Sequence, residues 1–136
     1  MKILTYYRLS VATAILFLFL AITWMFAPTQ LLSGWGLEFT TTVGLLSRRA
    51  AAFYLGIAVI LFMARKAELS TARTAIIYGM ITACLPLAFL GVYELIVGHA
   101  TSGILAAVFT EVVLSLLFMA VCRSGDKSII RSSHTN

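Results

Sequence analysis

Charge is scarce in this chain: Asp, Glu, Lys and Arg make up 11% of its 136 residues. A water-soluble domain carries about 25%, so a chain this poor in charge cannot cover a water-facing surface. Cysteine is nearly absent as well. Cys84 falls in the middle of an apolar run and Cys122 at the edge of another, and no CxxC occurs. Two thiols at different depths cannot reach each other to form a disulfide, and thiol–disulfide shuttling has no motif to work with. Histidine is equally thin. His99 and His134 fall on opposite sides of any membrane arrangement, so neither a metal centre nor a pair of axial haem ligands can be assembled. No HExxH, GxSxG or phosphate-binding glycine loop is present. These absences leave no catalytic residue, metal or cofactor to assign.

What is abundant is apolar surface, at 61% of residues and a mean hydropathy of +1.01. One membrane crossing needs roughly 20 apolar residues. Four runs meet that length, at about 9–27, 43–64, 74–95 and 103–122. They predict an all-α fold: a single transmembrane domain over residues 1–136, built as a four-helix bundle. The first run is too long for a signal-peptide core and lacks a small-residue cleavage site, so it reads as a retained span. Between spans 1 and 2, PTQLLSGWGLEFTTT is still fairly apolar and is expected to lie in the headgroup zone with a short helix. Pro86 falls inside span 3, where neighbouring helices must satisfy the freed carbonyl. Residues 123–136 form a polar tail.

The net charge of +5 sits at the ends of the apolar runs and does not interleave with aromatics. It signals topology and anionic headgroups, with no nucleic-acid surface. Lys2, Arg8, Arg65, Lys66, Arg73, Arg123, Lys127 and Arg131, eight of the ten Lys and Arg residues, fall in the two tails and the turn between spans 2 and 3. The positive-inside rule puts both termini in the cytoplasm. The short loops favour a bacterial inner membrane.

Two arginines break that pattern. Arg48 and Arg49 lie five or six residues into span 2 from the outer side, roughly 7–9 Å deep at the helical rise. Each either snorkels to outer headgroups or turns inward to an acidic partner. The partner candidates are Glu94, at the outer end of span 3, and Glu111, about nine residues into span 4 and so roughly 13 Å deep. A carboxyl group near mid-membrane is held neutral or paired. Gly103, Ala107, Glu111 and Ser115 share one face of span 4, and Arg48, Ala52 and Gly56 one face of span 2. Small residues every four positions allow close helix approach. Spans 2 and 4 are therefore expected to pack together with Arg48 or Arg49 near Glu111, and Tyr54, Tyr93, Glu94 and His99 to line the outer mouth of that space.

Two stretches, FAPTQLLSGWGL after span 1 and LLSRRAAAFYLGIAVILFMAR through span 2, give the chain a layout that resembles small bacterial four-span membrane proteins of the DoxX-like kind. The resemblance implies a location and a shape, and carries over to residues only at Arg48 and Arg49. Small multidrug resistance transporters also have four spans, but carry a carboxylate in the first, where this chain has no charge. The Arg-rich cytosolic pattern of MAPEG enzymes is not found. Three readings follow. The first is a non-enzymatic binding or accessory subunit whose partners are the lipid bilayer and a membrane protein or further copies of itself. The second is a small proton-linked transporter using Glu111 with Arg48 or Arg49. The third is a membrane enzyme acting on a lipid or quinone against Tyr54, Tyr93 and Arg49.

Overall fold

The computed structural model describes residues 5–133, with side chains to residue 124. Lys2 and His134 lie outside the described residues, as do the side chains of Lys127 and Arg131. Among the described residues the secondary structure is entirely helical. Helix α1 spans Tyr6–Phe26, α2 Pro28–Gly34, α3 Thr41–Met63, α4 Thr71–Val97 and α5 Leu105–Ser133. Single 3-10 turns extend α3 over Ala64–Lys66 and introduce α5 over Ser102–Ile104.

Four segments are long and apolar enough to cross a bilayer: Tyr6–Phe26, Thr41–Lys66, Thr71–Val97 and Ser102–Ser124. Each contains the expected span and exceeds it by up to about a turn at an end, except that α1 stops one residue short of the expected boundary. A helix already nucleated recruits the next turn cheaply. For the same reason the backbone of α5 continues beyond the membrane segment to Ser133, where a bare polar tail was expected. Local chemistry sets the starts. Thr40 Oγ1 accepts from the Val43 N–H at 3.2 Å and Ser70 Oγ from the Arg73 N–H at 3.3 Å, capping α3 and α4. Pro28 opens α2, where its missing N–H has no helical partner to lose. Pro86 lies inside α4, which runs through it unbroken.

The outward faces are apolar. Phe26, Phe53, Phe89, Phe109 and Ile96 are each at least 70% exposed. In water such a surface would drive aggregation, whereas in hydrocarbon it is solvated. This is a multi-pass membrane protein in a lipid bilayer.

Helix α1 lies along α3 and α4 along α5, and between these pairs α1 approaches α5. The expected close packing of span 2 on span 4 is not what forms: α3 takes α1 as its neighbour and α5 takes α4. The short turn at residues 67–70 joins α3 to α4 without pairing them, so the fit between helix faces, and not connection length, decides the pairing. The face of α3 differs too. Its buried residues are Gly44, Ser47, Ala51, Ala58 and Leu61, while Arg48, Ala52 and Gly56 are exposed. On α5 the expected face is right from Ala107 onward: Ala107 and Glu111 point inward and Ser115 is buried, though Gly103 is exposed.

The solid core occupies the half of the bundle nearer the termini. Tyr6, Leu9 and Phe17 of α1, Leu61 of α3, Met80 of α4 and Phe118 of α5 belong to it, with Leu61 and Phe118 wholly buried. Arg73 lies over the Tyr6 ring at 4.3 Å at that end. Three hydroxyls on the inner face of α1 (Tyr6, Ser10 and Thr13) are buried without a hydrogen-bond partner among the described residues. Five other helical hydroxyls, those of Thr23, Ser47, Thr110, Ser115 and Ser124, bond the carbonyl four residues back. An unpaired buried hydroxyl destabilises by about 1–3 kcal/mol. The double substitution Ser10→Ala, Thr13→Val is therefore expected to stabilise the protein by about 1 kcal/mol, read as a higher midpoint in SDS titration from mixed micelles.

Candidate functional site

The half of the bundle away from the termini is hollow. A cavity of about 310 Å³ lies there, bounded by all four membrane helices and by the α2 loop. Its wall is assembled from Trp24 of α1, Trp35 after α2, Tyr54 of α3, Leu90 and Glu94 of α4, His99 of the following turn, and Ala107 and Glu111 of α5. Most of this surface is apolar; a few polar groups converge on it, as in small-molecule sites generally.

The mouth is built by the end of α4. Gly98 follows the helix with φ +86°, a left-handed conformation that glycine adopts without a Cβ clash. The turn closes as a Schellman motif, with the His99 N–H donating to the Glu94 carbonyl at 3.0 Å and the Gly98 N–H to the Leu95 carbonyl at 3.3 Å. That reversal swings the His99 ring back over its own helix, where Nδ1 donates to Glu94 Oε2 at 2.9 Å. The His99 side chain is 65% exposed and that of Glu94 33%. The pair is at the rim, where water screens it and its contribution to stability is small.

A roof joins the two helix pairs. The Thr101 N–H donates to the Trp35 carbonyl at 2.8 Å, and Thr101 Oγ1 to the Gly34 carbonyl at 3.1 Å. Gly103 lies beneath the Gly34 carbonyl so closely that a Cβ there would fall 1.9 Å from the oxygen. This tie holds Trp35 against Trp24, edge to face at 5.5 Å between ring centroids. The floor is Tyr54, whose ring meets Phe17 edge to face at 5.5 Å above the solid core. The deeper of the cavity's two carboxyl groups is Glu111. Its carboxyl has no hydrogen-bond or ion-pair partner among the described residues, and Tyr54 and Cys84 lie within its electrostatic reach. Cys84 and Cys122 are both free thiols.

Tyr54, Glu94, His99 and Glu111 thus come together around one space. Tyr93, Arg48 and Arg49 do not join them. Tyr93 is 59% exposed on the outside of α4. Arg48 lies in an open groove beside Phe39 and Thr42, Arg49 is exposed, and neither has an ion-pair partner among the described residues. The reason is helical phase. The inward positions of α3 nearby are Ser47 and Ala51, and at about 100° per residue Arg48 falls on the flank and Arg49 on the opposite side, where each can extend along the helix toward headgroups.

Sequence reasoning missed Trp24 and Trp35 as cavity walls. It also missed the Thr101–Gly34–Gly103 tie. The available signal was glycine placement: four of the chain's nine glycines, Gly34, Gly36, Gly98 and Gly103, fall in the two loops that meet there.

Fold and site together define a four-span α-helical membrane protein with a one-sided, mostly apolar cavity. Comparison with protein-family models, curated proteins and solved structures finds no match to the chain.

Proposed function

We propose that the protein is a non-enzymatic binding protein of the membrane, alone or as a subunit of a larger complex, that takes a small amphipathic molecule into the cavity between α1, α3, α4 and α5. The supporting observation is the carboxyl of Glu111, unpartnered at the bottom of a cavity whose upper wall is aromatic and aliphatic. A site that held Glu111 only for structure would hydrogen-bond it. The basic residues of the tails and of the 65–73 turn favour cytoplasmic termini with the cavity mouth facing outward, and the short loops favour a bacterial inner membrane. The DoxX-like layout is compatible with this reading and adds no chemistry to it. Carriage across the membrane is the second reading, favoured by the depth of Glu111; Arg48 and Arg49 have no part in it, since both point away.

Cysteine labelling tests the reading. In a Cys84→Ala, Cys122→Ala background, Ala107→Cys should react with an impermeant maleimide added outside right-side-out vesicles. Phe53→Cys, facing lipid, should stay inert, and Leu69→Cys in the turn between α3 and α4 should react only after permeabilisation. If Ala107→Cys were as inert as Phe53→Cys, the cavity would be closed and the reading wrong. Reaction of Leu69→Cys from outside would reverse the orientation.

A further inference from the structure

We infer that the ligand of this cavity is an organic cation with an apolar body, held by Glu111 from below and by the faces of Trp24, Trp35 and Tyr54 around it. The inference rests on the binding reading above and adds the chemical class of the ligand.

The first argument is charge. The chain carries twice as many basic as acidic residues, ten against five. Even so, no Lys or Arg lines the cavity among the described residues, while Glu94 and Glu111 do. The two arginines at this end of the bundle both point away from it. At the mouth, His99 already hydrogen-bonds Glu94. Glu111 has no such partner, so the acidic group left without one is the deep one, and a cation entering beside it would stabilise its ionised form. An anion would oppose that ionisation, and a neutral ligand would supply no counter-charge.

The second argument is the wall. Three aromatic rings bound the same space as Glu111, and two of them, Trp24 and Trp35, meet edge to face. Aromatic faces attract cations by about 0.5–2 kcal/mol or more when water is excluded. The remaining wall is aliphatic, at Leu87, Leu90, Ile104 and Val108, and suits the apolar body of the molecule. A volume of about 310 Å³ falls at the small end of ligand sites, which begin near 300 Å³.

The third argument separates an organic cation from a metal ion. A hard cation requires several oxygen ligands to replace its water. Among the described residues no three His, Cys, Asp or Glu side chains lie close enough together to hold a metal ion. A substituted ammonium group holds its water weakly and needs only one counter-charge and a ring face.

The test uses three molecules of one shape and different charge: phenyltrimethylammonium, its neutral isostere tert-butylbenzene, and the anion benzenesulfonate. The full chain is placed in phosphatidylcholine nanodiscs, whose zwitterionic surface does not concentrate cations. Both tryptophans of the chain line the cavity, so intrinsic fluorescence reports occupancy directly. At equal free concentration, phenyltrimethylammonium should change the emission saturably and bind at least about tenfold tighter than the neutral isostere. That factor is about 1.4 kcal/mol. Benzenesulfonate should give no saturable change. Glu111→Gln should weaken the cation about tenfold and leave the neutral molecule unchanged, and Ala107→Phe, which fills the space, should abolish both. Equal binding of cation and neutral isostere, or an unaltered cation affinity in Glu111→Gln, would overturn the cationic class and leave the binding site standing. Absence of saturable binding by all three would overturn the binding reading as well. Where Glu111→Gln does not fold, the three-charge comparison on the unaltered chain decides alone.

Discussion

Gly103→Ala is expected to separate the roof from the bundle, destabilising the protein by about 2–6 kcal/mol and emptying the aromatic wall of its cavity. The added Cβ would meet the Gly34 carbonyl oxygen at 1.9 Å. That oxygen is backbone, so no rotamer change can relieve the clash, and the α2 loop and the turn before α5 must move apart. The movement breaks both Thr101 hydrogen bonds, to Trp35 and to Gly34. Each such bond contributes about 0.5–1.5 kcal/mol, and overpacking adds about 1–3. Thr101→Val separates the two effects. It removes only the Oγ1 bond, keeps the side chain's shape, and should lose about 1 kcal/mol. In a Trp24→Phe background, Trp35 is the only fluorophore of its kind. Its emission should shift to the red in Gly103→Ala, stay near the parent in Thr101→Val, and lose its response to phenyltrimethylammonium only in the first. An unshifted Trp35 emission and an unchanged SDS midpoint in Gly103→Ala would show that the two loops are not tied.

Phe118→Ala should have an effect of similar size for a different reason. Phe118 is wholly buried between the helix pairs, in the core it shares with Leu61, Leu9 and Val121. In a water-soluble protein a buried Phe→Ala change loses roughly 3–5 kcal/mol, part from transfer out of water and part from the cavity left behind. In a bilayer the transfer part nearly vanishes, since lipid tails are as apolar as the core. The loss of packing contacts remains, and about 2–3 kcal/mol is the expected destabilisation. Phe109 is the control on the same helix. It is 70% exposed, faces lipid, and its change to alanine should alter stability by less than about 0.5 kcal/mol. SDS titrations of both variants in mixed micelles make the comparison. Equal effects at the two positions would mean that hydrophobicity, and not packing, holds this bundle together.

These contrasts show where the chain's own pattern stops being informative. The four spans were legible, as were the short helix after span 1 and the charged turn at 65–73. Span length and mean hydropathy are sums along the chain, and the bilayer demands only that each crossing be long, apolar and internally hydrogen-bonded. The concentration of Glu94, His99 and Glu111 at one end of the bundle was equally readable, because depth follows from residue count at a fixed rise. Rotation about each helix axis was not. In water a polar face marks the outside of a helix. Here the lipid and the core are both apolar, and the lipid-facing Arg48–Ala52–Gly56 row looks as fit for the interior as the buried Gly44–Ser47–Ala51 row beside it. Only packing chose between them, and it moved both arginines out of the site.

The sequence by itself thus determined the solvent, the number of crossings and the depth of each ionisable group, since all three depend on distance along one chain. Tertiary structure decided that α3 packs on α1 and α5 on α4. It also decided that the termini half is solid and the other half hollow, and that both tryptophans turn into the hollow beside Glu111. Those outcomes depend on which side chains interlock across helices, a property of pairs of surfaces that no single helix carries.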